Sequence, residues 1–479
     1  MRKSITSGIL WSGLERFTAQ GIQFVFSFVI ARLLSPEDYG LVAMLLIFTA
    51  ISQCFVDSGL SNALIQKKNR DEIDFSTVFY FNVVVAFVAY ILLCLFSPVI
   101  SEFYNQPLLE KIICVSSLTI IISSFASIQQ AKIAIELDYK RQAKISFIVA
   151  IVTGCVSLYM AYNGFGVWTL VFSSIMSSSL TSLLLWFSSS WRPKLAFSWS
   201  AFCQLFGFGY KLMLGGLIHH IYVNLYSLII GKVYSKEALG CFNRANSITQ
   251  YPTVNVTTVL LRVFYPAECE LQDDDEKLTR AYYRFIRHTM FFVCPLMLGL
   301  FALAESFVRL VLTDKWIGCV PYIQILCLAY LWEPVMMISW SILNAKHRSD
   351  LSLKAEVIKK VTAFVILFMS IPFGVKAMSL GLVFYSLADI FIISFFLKSI
   401  INEINIVRIL KNLFPFFFVS FLMVIVIMSL NSLIDACFFQ ILVGIISGAS
   451  VYISISYILK LEELKTVKTL LFKWCYRNN

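Results

Sequence analysis

The residues best suited to chemistry are polar side chains set inside long apolar runs. Ser12, Arg16, Gln20, Gln23 and Ser27 recur at intervals of three and four, with Glu15 beside them, so they share one face of a helix. Lys211, Gly215, His219, Tyr222 and Tyr226 make a second stripe. Asn243, Ser247, Gln250 and Val254 make a third, flanked by Arg244 and Tyr251, with Pro252 placed to kink the helix. Guanidinium forks suit phosphate oxygens, while amides and phenols suit hydroxyls. Arg16, Glu15, Gln20, Gln23, Lys211, Tyr222, Asn243, Arg244 and Gln250 are therefore candidate binding residues for an anionic headgroup that carries sugars. If the halves of the chain face each other, the stripes line one cationic cavity. Local alternatives stand beside this reading: Glu15 with Arg16 as an ion pair, Lys211 snorkelling to the inner surface, and Arg244 capping a loop near the outer face.

Ionisable groups at membrane depth are costly and mark paths or sites. Asp57, Asp389 and Glu333, which precedes Pro334, are candidates for proton or sodium coupling; Asp57 equally fits a cap or a pair with Lys67 or Lys68. His219 and His220 are neighbours and point to different sides of a helix, so they read as lining rather than as a metal pair. The twelve cysteines are scattered without ligand spacing, and no metal or cofactor is expected. There is no GxxxxGK[ST] phosphate loop and no HExxH, so the chain is read as a non-enzyme.

The elements that position these residues follow from composition. With 479 residues, 59% hydrophobic and only 14% charged, the chain has too little polar surface for a soluble globule. The expected fold is an all-α polytopic membrane protein of about fourteen transmembrane helices. The spans fall at 10–33, 40–62, 76–98, 112–130, 145–162, 166–188, 206–230, 239–261, 286–312, 319–343, 355–373, 377–398, 410–430 and 436–459. The span at 239–261 is unusually polar. A short basic stretch precedes the first span without a small-residue cleavage site, so that span is read as retained. Lys and Arg crowd alternate loops, such as Lys67 to Arg70, Lys132 to Lys144 and Arg280 to Arg287, with an inside bias of roughly four to one. That alternation places both termini in the cytoplasm. It also accounts for the net charge of +11 through topology and anionic lipid, without nucleic acid.

The chain repeats itself. Val29 to Gly40 aligns with Ile229 to Gly240, sharing a basic residue (Arg32, Lys232), a serine (Ser35, Ser235), a glutamate (Glu37, Glu237) and the final glycine. Phe165-Gly166-Val167 is echoed by Phe373-Gly374-Val375 at a similar offset. The repeat predicts two parallel six-helix units, an N-lobe at 1–200 and a C-lobe at 201–400, followed by two extra spans and a tail at 401–479. The two extra spans carry few polar residues and are expected to face lipid. Trp191, Arg192 and Trp199 between the lobes read as interfacial, and Leu461, Leu464, Val467, Leu471 and Trp474 as one face of a surface helix.

Leu14-Glu15-Arg16, Ile30-Ala31-Arg32-Leu33-Leu34-Ser35-Pro36-Glu37-Asp38-Tyr39-Gly40, Asp57-Ser58-Gly59-Leu60, Gly166-Val167-Trp168, Leu312 to Trp316 and Arg348-Ser349-Asp350 resemble the bacterial polysaccharide-exporting flippases. These are the Wzx/WzxC-like lipopolysaccharide, capsule and colanic-acid exporters of the multidrug/oligosaccharidyl-lipid/polysaccharide (MOP) superfamily. The resemblance implies two lobes around a central cavity in the cytoplasmic (inner) membrane. It implies alternating access for a polyprenyl-pyrophosphate-linked oligosaccharide, moved from the inner to the outer leaflet. It also implies membrane lipids, a Na+ or H+ partner and polysaccharide-assembly proteins as candidate partners. Export of a negative headgroup from a cell that is negative inside is downhill by about 2.3 kcal/mol per charge per 100 mV. The alternatives are a multidrug or metabolite cation antiporter of the same superfamily and a membrane-embedded glycan polymerase.

Overall fold

The computed structural model describes residues 21–57, 59–67, 69–136 and 138–465, which form helices joined by turns, with no strand among the described residues. A chain crossing lipid must satisfy its own backbone, and helices do so within one segment. Among the described residues, eleven helical stretches, from Pro36–Gln66 to Cys437–Ile458, are long and apolar enough to cross a membrane, and Gly21–Leu33 is a shorter apolar helix. The chain is thus an all-α multi-pass membrane protein. The expected spans at 239–261 and 355–373 are also helical but more polar, the second carrying Glu356, Lys359 and Lys360.

The chain divides into two compact units, Met1–Gly240 and Cys241–Asn479. The lobes drawn from the repeat rest on sequence similarity and stand beside this division as a proposal.

The first unit contains α1 (Gly21–Leu33), α2 (Pro36–Asp57), α3 (Leu60–Gln66), α4 (Glu72–Tyr104), α5 (Leu108–Ser116), α6 (Leu118–Glu136), α7 (Tyr139–Tyr162), α8 (Val167–Ser188) and α9 (Trp199–Val233). Gly59, at φ 67°, turns α2 into α3 where a Cβ would lie 2.3 Å from the Gly209 carbonyl oxygen, so only glycine fits. Arg70 closes α3 by donating to the Leu64 and Ile65 carbonyls at 2.8 and 2.7 Å. Lys67 pairs with buried Asp74 at 2.7 Å, and Asp74 accepts the Asp71 N–H at the start of α4. Leu60, Leu64, Phe75, Phe79, Ile128 and Leu205 form the core beside these caps.

Trp191 belongs to that core rather than to the membrane interface. It is 5% exposed, it packs against Phe75 and Phe79, and its indole N–H donates to Glu72 at 2.8 Å. A partner 119 residues away satisfies the polar edge that would otherwise hold the ring at the surface. Trp199 is exposed.

The repeated loops meet inside this unit. Ser35 and Ser235 cap the following helices, accepting from the Asp38 and Ala238 N–H groups at 3.3 and 3.1 Å. A Cβ on Gly40 would stand 1.8 Å from the Lys236 carbonyl oxygen, and one on Gly240 would stand 1.8 Å from that of Pro36. Glu37 pairs with Lys236 at 2.7 Å beside this crossing.

The α10 helix (Lys236–Glu270) runs through Pro252 and Pro266 as one helix, and past its first turn it belongs to the second unit. The second unit continues with α11 (Asp275–Phe307), a π turn at Val308–Leu312 and a 3-10 turn at Asp314–Cys319. Then come α12 (Val320–Tyr330), α13 (Glu333–Ala345), α14 (Ser349–Ser370), α15 (Val375–Lys398), α16 (Ile406–Asn431) and α17 (Cys437–Ile458). The α11 helix packs against α12, α16 and α17, while α15 packs against α12, α13 and α14. The α16 helix buries Ile409, Leu413 and Phe416 and exposes Phe414, Phe418 and Phe421, a split suited to protein on one side and lipid on the other. After α17 the chain turns inward at buried Leu461 and Glu463. Val467, Leu471 and Trp474 lie outside the described residues.

Candidate functional site

In the first unit, Gln23 is exposed on α1, while Glu15, Arg16 and Gln20 lie outside the described residues. On α9, Lys211, Gly215 and His219 are exposed, Tyr222 is half-buried and Tyr226 is buried. The stripe read from spacing is thus an open face over its first part and becomes core at Tyr226. The Lys211 ammonium lies 5.9 Å from the centre of the Tyr210 ring. Nearby, the Cys54 thiol on α2 donates to the Met213 carbonyl at 3.3 Å, which fixes this stretch of α9 against α2.

Asp57 is exposed and accepts from the Gln53 amide at 3.2 Å. Gln53 in turn accepts from the Ser123 hydroxyl on α6 at 3.1 Å. Lys67 is engaged by Asp74, so the pairing of Asp57 with Lys67 is not formed. Spacing places Gln53 and Asp57 on one helix face; Ser123, seventy residues further on, carries no local signal.

In the second unit, α10 presents Ser247 and Gln250 to the surface, holds Asn243 half-buried and buries Arg244 to 7% exposure. The α10 helix is held against α12 by the Tyr330 hydroxyl, which donates to Asn246 at 2.5 Å. Arg244 lies within electrostatic reach of Cys319. A buried guanidinium flanked by exposed amide and hydroxyl groups has the chemistry to receive an anion and its hydroxyl-bearing neighbour.

Asp389 on α15 is 1% exposed, and its carboxylate pairs with Lys359 of α14 at 2.8 Å. The same ammonium sits 5.5 Å from the Trp340 ring, and Glu333, at the first turn of α13, acts on it electrostatically. A buried carboxylate needs such a partner, and here the protein's own cation fills that place. Arg348 and Asp350 form a bidentate pair at 2.9 Å outside the expected span, and the guanidinium holds the Asp350 carboxyl down at about 2. No group of three or more His, Cys, Asp or Glu able to hold a metal ion occurs among the described residues.

Residues 29–321 match the family described as polysaccharide biosynthesis protein. The lipopolysaccharide biosynthesis protein WzxC of Escherichia coli (strain K12) is 26% identical over 75% of this chain and 73% of its own length. The teichuronic acid biosynthesis protein TuaB of Bacillus subtilis (strain 168) is 22% identical over 73% of each chain. Among solved structures, the lipid II flippase MurJ in an inward closed conformation superposes with a TM-score of 0.77 at 17% identity, over 94% of this chain and 98% of its own. An inward-facing multidrug resistance transporter of the MOP superfamily gives 0.60 at 15% identity, over 80% and 95%. These likenesses show a shared fold.

Proposed function

The chain belongs to the polysaccharide biosynthesis protein family, and from that premise we propose that it is a flippase of the cytoplasmic membrane with both termini inside. Its substrate is a polyprenyl-pyrophosphate-linked oligosaccharide, which it moves from the inner to the outer leaflet by alternating access. Arg16 and Arg244, assisted by Lys211, receive the pyrophosphate, while Glu15, Gln20, Gln23, Tyr222, Asn243 and Gln250 complete the binding set. The polyprenyl tail stays in lipid.

The observation that carries this reading is α10. Among apolar spans it places a buried guanidinium beside exposed Ser247 and Gln250. A purely anchoring helix has no use for that set. The names of two relatives, a lipopolysaccharide biosynthesis protein and a teichuronic acid biosynthesis protein, support the substrate class. Of the coupling-ion candidates, Asp57 is the most exposed and is the one we assign to an exchanging proton or Na+.

Deleting the gene should make lipid-linked oligosaccharide accumulate on the cytoplasmic leaflet. Arg16→Gln and Arg244→Gln should each fail to relieve that block while reaching the membrane at normal levels. Loss of one charge-assisted contact of about 1.5–3 kcal/mol corresponds to roughly a 10- to 100-fold loss of binding. Export at the unmodified rate in both variants refutes the role of these arginines. Accumulation of organic cations in the deletion strain, with normal glycan export, would favour the antiporter reading.

A further inference from the structure

A cavity of about 960 Å³ opens in the second unit where the first turns of α11 and α16 meet the end of α17. The loop charges predict that these helix ends face the cytoplasm. Lys277, Arg280, Arg284, Arg287, Arg408 and Lys460 line it, opposed by Glu462 and Glu463. Two of the cations are structural. Arg287 makes a bidentate pair with Glu463, itself 2% exposed, at 2.6 and 3.2 Å. Arg408 stacks 4.8 Å from the Tyr283 ring and reaches Glu403 at 3.5 Å. Arg284 and Lys460 are exposed and carry no ion pair among the described residues, while Lys277 and Arg280 hold only exposed partners on their own helix turn. Beside these heads, Tyr457, Ile458, Val407 and Leu410 are exposed apolar side chains on the outer faces of α16 and α17.

Guanidiniums engaged by Glu463 and the Tyr283 ring, uncommitted cations in the same lining and an apolar flank on two helices match a phosphate ester that continues into acyl chains. Basic pockets between transmembrane helices on the cytoplasmic side take anionic lipid headgroups in this way. We propose that this cavity is a binding site for an anionic phospholipid of the inner leaflet, separate from the substrate residues on α1, α9 and α10. The apolar flank favours a phospholipid over free phosphate, because the free ion gains nothing from it.

The test uses the purified full chain in nanodiscs and reads lipid retained per protein by native mass spectrometry. Phosphatidylglycerol is titrated against phosphatidylcholine, with inorganic phosphate in a separate arm. The expected result is preferential retention of phosphatidylglycerol that falls roughly 30-fold in Arg284→Gln/Lys460→Gln, the effect of two cations near an anionic surface. Neither residue holds a structural ion pair, so the variant should melt as the parent does in phosphatidylcholine alone. Lys376→Gln, an exposed lysine on the opposite expected side, should leave retention unchanged. Equal retention of both lipids, a double variant that retains phosphatidylglycerol as the parent does, an equal loss in Lys376→Gln, or full displacement by millimolar inorganic phosphate would each overturn the proposal.

Discussion

At the scale of single residues, the informative contrast is between Asp57 and Asp389. Sequence marks both as carboxylates at membrane depth, yet one is exposed beside Gln53 and the other is shut in with Lys359. Removing one member of a buried pair leaves an uncompensated charge and costs about 3–5 kcal/mol, whereas replacing both with apolar groups is often neutral. Asp389→Ala should therefore lower the melting temperature of detergent-purified protein, and Lys359→Met/Asp389→Leu should recover most of it. If Asp389 is structural, the double variant also keeps export. A stable double variant that no longer exports would instead make this pair part of the coupling route. Asp57→Asn should leave the melting temperature unchanged and, if Asp57 carries the coupling ion, abolish the dependence of export on the H+ or Na+ gradient. A gradient dependence that survives the substitution removes Asp57 from that role.

At the scale of elements, the two copies of the loop motif are more than a sequence echo, because Gly40 and Gly240 each face the backbone of the other copy. A methyl group there meets a carbonyl oxygen at 1.8 Å, and a backbone oxygen on a capped helix end has little room to retreat. Overpacking of this kind costs about 1–3 kcal/mol, so Gly40→Ala and Gly240→Ala should each reduce folded protein in the membrane, as measured by fluorescence-detected size exclusion. Gly215→Ala, with nothing within 4 Å, should not. The motif was legible in the sequence because Ser35 and Ser235 act through contacts a few residues long, whereas the close approach of Gly40 and Gly240 to the other copy shows only in the fold. Hydropathy revealed the spans for the same reason. What the sequence hid depends on distant partners: Trp191 is drawn inward by Glu72, Asp389 is answered by Lys359, and the basic cavity is assembled from α11, α16 and α17. Locally Trp191 looks interfacial, Asp389 looks like a lone carboxylate at membrane depth and the basic residues look like solvated loops, and only packing shows otherwise. The α9 and α10 stripes were legible as far as their exposed faces, whereas the burial of Arg244 and Tyr226 was not.

At the scale of the whole molecule, the inside bias of basic loops sets the expected orientation of the chain, and a cell that is negative inside pushes an anionic cargo outward. A pyrophosphate carried outward from a negative interior gains about 2.3 kcal/mol per charge per 100 mV, enough to drive export if nothing neutralises it on the way. Should the cations proposed to bind the headgroup stay with the protein while the anion passes, the charge that crosses the field is that of the cargo. Collapsing the potential with valinomycin and K+ in right-side-out vesicles should then slow outward transfer, with a voltage dependence that reports the cargo's charge. A coupling cation moving inward adds its own charge in the same sense and a dependence on its chemical gradient. Dissipating the H+ or Na+ gradient at fixed potential therefore separates the two: no effect means that potential alone suffices, and a loss identifies the ion. Transfer indifferent to both manipulations would mean that the headgroup crosses as a neutral complex, and the electrical argument for the proposed headgroup-binding cations would then fall.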